Sequence, residues 1–185
     1  DAKENLSRVQ DEKSILEKHQ GDLFIEENAE SLHSTSSHRN SKPIIDYLDF
    51  EDGYEKALAA VFSDELMASI SEEQSSYWRS IEKNNIPTFP KGIVAFTELI
   101  KAPENLKKRL GYIGLIQHKD NVLELQKNLT DGQILVSSTG EVWRWDGFVS
   151  KGKQSASTKA VLDQLKNTRL KQLTAEEKQW QDIMN

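Results

Sequence analysis

The chain contains no cysteine, and it has only four prolines and two methionines in 185 residues. Without cysteine, neither a disulfide framework nor a thiolate metal site can form, and a reducing, cytoplasmic setting is favoured. No run approaches the roughly 18 uncharged apolar residues that a membrane span needs, so we expect no contact with a membrane. Hydrophobic residues make up 36% of the chain and charged ones 29%. This low apolar share indicates that part of the chain is solvated helix outside a single core.

Metal-binding patterns are also missing. The four histidines are scattered, and none forms an i, i+4 pair around a carboxylate; they are His19, His33, His38 and His118. We therefore expect neither a metal site nor a cofactor. The chain begins on Asp1 and ends inside a helical pattern, which leads us to expect an excised part of a longer protein.

Both ends of the chain have thin apolar stripes at helical spacing. Residues 1–42 form a helix and a linker in this interpretation, residues 43–153 the globular part, and residues 154–185 a second helix. The stripes consist of Leu6, Val9, Leu16 and Leu23 at the start and Leu162, Leu165, Leu173, Trp180 and Ile183 at the end. Neither helix buries much surface alone, so we predict that they pair as an antiparallel coiled-coil arm.

The middle of the chain has the turn residues and most of the aromatic residues of a mixed α+β domain. Ile44–Leu48 is predicted as a short strand or turn, and GYEKALAAVF as a helix packed on a sheet. NNIPTFPKG is predicted as a loop, FTELI and ENLKKRL as helices, and GYIGLI as an extended run. ILVSSTGEVWRWDGFV, residues 134–149, has two β-prone runs around a turn, which predicts a hairpin.

A glycine-lysine stretch near the end resembles a nucleotide site. Gly147, Gly152 and Lys153 match the first seven positions of the phosphate-loop pattern G-x-x-x-x-G-K-[ST]. The next residue is Gln154, which has no hydroxyl to ligate magnesium, and the helix that follows is mostly charged. We therefore expect the chain neither to bind nor to hydrolyse ATP.

The glycines then need another explanation, and the sequence leaves two open. Gly140, Gly147 and Gly152 bracket a strand on which Trp143 and Trp145 alternate with more polar residues. In one interpretation the glycines make turns and the tryptophans fill the core. In the other, the hairpin is the final strand pair and lies at the edge of its sheet, where glycine lets a second chain pair closely with it.

Three stretches together resemble a known family. DGYEKALAAVFSDEL, IPTFPKGIVAFTELI and GQILVSSTGEVWRWDGFVSKGK, set between two arm-like helices, resemble the hinge domain of SMC chromosome-segregation (condensin-like) proteins of the alphaproteobacterial type. The resemblance covers about residues 43–153. It implies an α+β hinge with small mixed sheets and packed helices, inserted between two antiparallel coiled-coil helices.

The same resemblance implies a function. Such hinges form homodimers that join two arms, while the ATPase heads lie elsewhere in the longer chain, so this segment is not expected to be an enzyme. The implied interface includes Gly140, Trp143, Trp145, Gly147 and Gly152. The implied setting is the cytoplasm, in association with the nucleoid, with a role in chromosome condensation and segregation.

Charge is unevenly distributed along the chain, whose formal net charge is −6. Residues 151–185 carry seven basic and four acidic side chains, against an acidic excess elsewhere. The resemblance implies weak, sequence-independent DNA binding near the base of the arm, which we assign to Lys151, Lys153, Lys159, Lys166, Arg169 and Lys171. A second basic cluster comprises Lys101, Lys107, Lys108 and Arg109. A solvated helix face is the alternative explanation.

An alternative function rests on an acidic stretch. Asp46, Asp49, Glu51, Asp52 and Glu55 place carboxylates close together, as a small enzyme or ligand-binding domain would need for acid-base or cation chemistry. The stretch has no regular ligand spacing and no nucleophile or histidine partner. A solvated cluster at a helix start also explains it.

Overall fold

The structure, a computed structural model, describes residues 2–21, 42–82, 85–152 and 156–184. The chain divides into two compact units. The helical unit contains α1 (Ala2–Gly21) and the part of α6 (Ala156–Met184) that starts at Lys166. The globular unit contains the described residues of 41–165.

In the helical unit, the two helices pack through a thin apolar seam. Val9, Leu16 and Leu173 are buried together, and Trp180 packs against them. Lys13 forms an ion pair with Glu177 at 2.8 Å, which raises the pKa of Lys13 and lowers that of Glu177. The sequence prediction that the terminal helices pair within one chain is confirmed for these residues; Leu23 lies outside the described ones.

A five-stranded mixed sheet organises the globular unit, with the order β2-β4-β5-β6-β7. Only the β4–β5 pair is parallel. A separate two-stranded antiparallel sheet pairs β1 with β3. The strands are β1 (Asp49–Phe50), β2 (Ile93–Ala95), β3 (Ile100–Lys101), β4 (Ile113–Ile116), β5 (Ile134–Ser137), β6 (Val142–Arg144) and β7 (Val149–Ser150).

Short helices connect these strands. They are α2 (Glu55–Phe62), α3 (Phe96–Leu99), α4 (Glu104–Gly111) and α5 (Val122–Lys127), together with two 3₁₀ helices, Ile44–Tyr47 and Ser63–Met67. α2 starts directly after an acidic turn and ends where Ser63 adopts a positive φ of 47°. Its buried residues include Ala57, Leu58 and Phe62, so α2 contributes an apolar face to the core.

The sheet is covered on both faces. Side chains alternate along a strand, so Val142 enters the main core with α2 and α4, whereas Trp143 enters a smaller cluster with Val122 of α5. Leu135 in β5 belongs to the smaller cluster and Val136 to the main core, in the same alternation. The apolar strand runs ILVS and IGLI are therefore buried on both sides, as interior strands require.

The predicted α+β class is confirmed, with differences in detail. Ile44–Tyr47 is a 3₁₀ helix rather than a strand, and its first two residues, Ile44 and Ile45, are fully buried. The predicted helices around residues 53–62, 96–100 and 104–110 are present, as are the extended run at 113–116 and the hairpin of β5 and β6. The boundaries at residues 42 and 153 remain predictions.

Candidate dimer interface, basic residues and acidic cluster

The end of the globular unit forms three consecutive antiparallel strands. β5 pairs with β6 and β6 pairs with β7, and the second turn is closed by Arg144 N–H donating to Phe148 O at 2.9 Å. The sequence placed the hairpin of β5 and β6 at the sheet edge. That placement is wrong, because β4 covers one side of β5 and β7 covers the outer side of β6. On this side of the sheet the edge strand is β7, which is two residues long.

The two tryptophans assigned to the interface have different environments. Trp143 is 6% exposed and packs with Ile116, Val122 and Leu135 inside its own chain. Trp145 follows the end of β6 and is 43% exposed. The core interpretation therefore describes Trp143, and only Trp145 presents a large surface to solvent.

The glycines also have different local reasons. A Cβ at Gly140 would lie 3.2 Å from the backbone oxygen of Lys56, so this glycine allows the β5–β6 turn to pack closely on α2. Gly147 has φ +89° and no atom within 4 Å of its would-be Cβ, so a turn conformation rather than space requires it. Gly152, with φ +79°, lies in ordinary contact with Thr139 and Gly140.

An exposed apolar tip lies at the β6–β7 turn and includes the edge strand. Phe148 is 51% exposed and Val149 39% exposed, beside the exposed Trp145. The guanidinium of Arg144 lies 5.2 Å from the centroid of the Phe148 ring and also pairs with Asp146, which lowers the pKa of the Asp146 carboxyl. Phe148 and Val149 lie within the predicted hairpin of residues 134–149 but were not among the individual residues assigned to the interface, although an aromatic residue beside a glycine turn was visible in the sequence.

Three of the six basic residues assigned to DNA are exposed. Lys151, Lys159 and Lys171 are exposed, Lys166 is half-buried, and Lys153 lies outside the described residues. Arg169 is 7% exposed, and its guanidinium pairs with Glu12 at 2.8 Å and with Glu176 at 3.7 Å. Its assignment to DNA is therefore wrong: Arg169 links the two helices of the helical unit.

Three residues of the second basic cluster have local partners of their own. Lys101 pairs with Asp49 at 2.9 Å, and Lys107 pairs with Glu104. Arg109 donates to the Val61 carbonyl at 3.3 Å and lies 5.6 Å from the centre of the Phe62 ring. These residues serve different local contacts rather than one basic face.

The acidic stretch separates into residues with different partners. Asp46 accepts a hydrogen bond from Gln164 at 3.2 Å, while Asp49 holds Lys101 across the small sheet. Glu55 is 6% exposed, and one of its oxygens accepts the Gly53 N–H at 3.0 Å. Its other oxygen is buried without a hydrogen-bond partner among the described residues. Burial raises the pKa of Glu55 to about 7, and the nearby Asp52 acts in the same direction.

A metal site and a membrane span are both absent from the part of the chain that the structure describes. No group of three or more histidine, aspartate or glutamate side chains there is arranged to hold a metal ion. None of the described helices is both long enough and apolar enough to cross a bilayer. The described part of the phosphate-loop-like stretch, residues 147–152, forms the end of the β6–β7 turn and the edge strand β7, rather than one loop that wraps around a phosphate.

Comparison with solved structures identifies the class of fold. The crystal structure of an asymmetric dimer of the Geobacillus stearothermophilus SMC hinge domain superposes with a TM-score of 0.51 over 98% of this chain and 86% of that chain, at 15% identity. The chain thus has an SMC hinge fold. No protein-family model matches it.

Sequence relatives give the particular family. The chain is 40% identical over 109 residues to the chromosome partition protein Smc of Rhodopseudomonas palustris. The matched residues make up 58% of this chain and 9% of that protein. It is 36% identical over 132 residues to the Smc protein of Cereibacter sphaeroides, covering 70% and 11%. The chain spans about a tenth of the length of these relatives. It belongs to the SMC family and corresponds to the hinge domain.

Proposed function

We propose that this chain is the homodimerisation hinge of an Smc chromosome-segregation protein, and that two copies join through the edge strand β7 and the exposed apolar tip around it. The observation that carries the proposal is the tip itself: Trp145, Phe148 and Val149 are each 39% to 51% exposed at the end of the sheet. The related Geobacillus hinge was crystallised as a dimer, which supports the same assembly here.

The chemistry of the edge suits a second copy. β7 is the last strand of the sheet order, so its outer backbone groups have no strand beside them among the described residues. A strand from a partner can add to such an edge by main-chain hydrogen bonds, and a two-fold arrangement presents the same edge from each copy. Full burial of an exposed apolar side chain contributes about 1.5 to 3 kcal/mol. Phe148 and Val149 are 51% and 39% exposed, so we assign about half of that contribution to each in the interface.

Light scattering after size exclusion tests this proposal. The unmodified chain should have twice the 21.1 kDa mass of one copy at micromolar concentration. Phe148→Asp combined with Val149→Asp should weaken the dimer by at least about a hundredfold, because two buried apolar contacts are replaced by like charges. Met67→Asp is the matched control, since Met67 is also 49% exposed but lies on a 3₁₀ helix.

A native far-UV spectrum is required of every variant. If the double variant does not fold, Phe148→Ser is the milder change that replaces it in the test. A monomeric unmodified chain, or a folded double variant that stays as dimeric as the control, would show that the interface lies elsewhere.

Weak DNA binding is the second part of the proposal. It is supported by the exposure of Lys151 just after β7 and of Lys159 in α6. Lysines contact phosphates without reading base sequence, so the expected affinity is independent of sequence and falls with salt. The ATPase heads that such a hinge would connect belong to the longer protein, and this segment is proposed to be non-catalytic.

A further inference from the structure

A cavity of about 580 Å³ lies in the globular unit between α2, α4 and the β6–β7 turn. Three cationic side chains line it, each from a different element: Lys56 from α2, Arg109 from α4 and Arg144 from β6. Glu65 is the one carboxylate among the described residues that line it. This excess of positive charge is local, because the chain as a whole carries a formal charge of −6.

Two of the three cations form no ion pair with any residue that the structure describes. Within the described part of the chain, neither Lys56 nor Arg109 has a carboxylate within 4.0 Å. Desolvation lowers the pKa of Arg109; the charge of Glu65 partly opposes this effect, and the positive charge of Arg144 adds to it. Arg109 and Arg144 line the same cavity, and their positive charges repel each other. Like charges held together in a partly desolvated cavity are stabilised by an anion between them.

The remaining lining suits a ligand larger than a simple ion. The aromatic residues Trp145 and Phe148 and the hydroxyl-bearing Ser63 and Ser150 also line the cavity. Its volume lies in the range of sites that hold small organic ligands. Aromatic rings beside guanidinium groups bind a flat apolar body next to an anionic group.

We propose that this cavity binds a phosphate group, with Arg109 and Arg144 as the guanidinium donors and Lys56 as the third cation. Guanidinium groups bind phosphate oxygens through pairs of charge-assisted hydrogen bonds. The body that carries the phosphate packs against the rings of Trp145 and Phe148. The three cations belong to one chain and none of them is assigned to the proposed dimer interface, so the binding of the phosphate itself does not depend on dimerisation through β7.

Calorimetric titration of the full chain with inorganic pyrophosphate, at constant ionic strength and without magnesium, tests the site. We expect saturable binding of one pyrophosphate per chain. Lys56→Gln should weaken it about tenfold, the effect of removing one charge-assisted hydrogen bond. Lys91→Gln, a change at an exposed lysine outside the cavity lining, should leave the affinity unchanged. No saturable binding, or equal losses in both variants, would overturn the proposal.

Removal of the competing carboxylates gives the opposite change. Glu65→Gln and Asp146→Asn should each tighten pyrophosphate binding, because Glu65 lines the cavity and Asp146 pairs with Arg144. Arg109→Gln should abolish binding. Since Arg109 also packs on Phe62 and its loss risks unfolding, the two carboxylate variants keep the test decisive. Unchanged or weaker binding in both would contradict the assignment.

A competition experiment distinguishes the sources of the phosphate. If the natural ligand is a nucleic-acid backbone, a single-stranded oligothymidylate of ten nucleotides should displace pyrophosphate. Its own affinity should fall in Lys56→Gln. If it is a small phosphorylated molecule, pyrophosphate should bind while the oligonucleotide fails to displace it. Failure of both probes to bind refutes the site. Light scattering on Lys56→Gln should show an unchanged mass, which separates this inference from the proposed dimer.

Discussion

The buried carboxyl of Glu55 makes the stability of the globular unit depend on pH. Glu55 is 6% exposed, with one oxygen lacking a hydrogen-bond partner among the described residues, and burial raises its pKa from 4.5 to about 7. The folded state thus favours the protonated form. The associated stability is fully present below pH 4.5 and is lost as pH rises toward 7. Since each pH unit between the two pKa values corresponds to about 1.4 kcal/mol, the loss is about 3 kcal/mol by pH 8.

Glu55→Gln removes the ionisable group but keeps an oxygen to accept the Gly53 N–H. We expect the variant to resemble the unmodified chain at pH 4 and to be more stable by about 2 to 3 kcal/mol at pH 8. In urea unfolding at fixed protein concentration, this difference shifts the midpoint by about 1 M at pH 8.

Glu51→Gln is the matched control, because Glu51 lies in the same acidic stretch but is exposed. Its unfolding midpoint should follow that of the unmodified chain at every pH. If Glu55→Gln lowers stability at pH 8, or raises it equally at pH 4, the carboxyl is not held protonated by burial and the reasoning is wrong.

A further prediction concerns DNA. Lys151→Glu combined with Lys159→Glu should weaken binding equally for all sequences and lower the salt slope by about 0.9 for each phosphate that is no longer neutralised, as measured by fluorescence anisotropy across salt concentrations. Arg169→Ala should leave DNA affinity unchanged, because its guanidinium pairs with Glu12 and is 8% exposed, while it destabilises the helix pair by about 3 kcal/mol through loss of a buried ion-pair partner. An unchanged affinity in the lysine variant would mean that these lysines are only solvated surface residues and do not bind DNA.

Local patterns predicted the parts of the fold that local chemistry decides. The helices α2 and α4 and the β5–β6 hairpin follow from residue spacing and turn residues within one segment. The two-residue strands could not be predicted this way, since β1 exists only because Asp49 and Phe50 pair with Lys101 and Ile100 about fifty residues later. Because β7 was not predicted, the hairpin of β5 and β6 was placed at the sheet edge, which is one strand before the observed edge.

The candidate site was predictable in location but not in detail. The sequence drew attention to residues 134–152, and the exposed tip lies there. The sequence could not show that Trp143 is buried and Trp145 exposed. Side chains two residues apart share a face only within one strand, and β6 ends at Arg144, before Trp145. The ion pair of Arg169 was not predictable either, because its partner Glu12 lies on the other helix of the pair.

Substitutions of Gly147 and Gly140 test whether the β6–β7 turn shapes the proposed dimer interface. In Gly147→Val a β-branched side chain must adopt a φ of +89°, which costs about 1 to 3 kcal/mol of backbone strain. The new side chain meets no atom of its own chain within 4 Å of Cβ. We therefore expect the fold to persist, with a nearly native far-UV spectrum, while the turn distorts beside Phe148 and Val149 and the chain shifts toward monomer in light scattering.

Gly140→Val provides the contrast for that experiment. Its Cβ would approach the Lys56 carbonyl oxygen on α2 to 3.2 Å, and φ there is also positive, at +85°. This variant should lose stability in urea unfolding by more than Gly147→Val, because steric contact with a helix backbone adds to the strain. We expect an effect on assembly only for Gly147, because it lies in the turn that leads into the edge strand β7. If Gly147→Val remains a dimer, or unfolds as readily as Gly140→Val, the turn serves only the fold of its own chain.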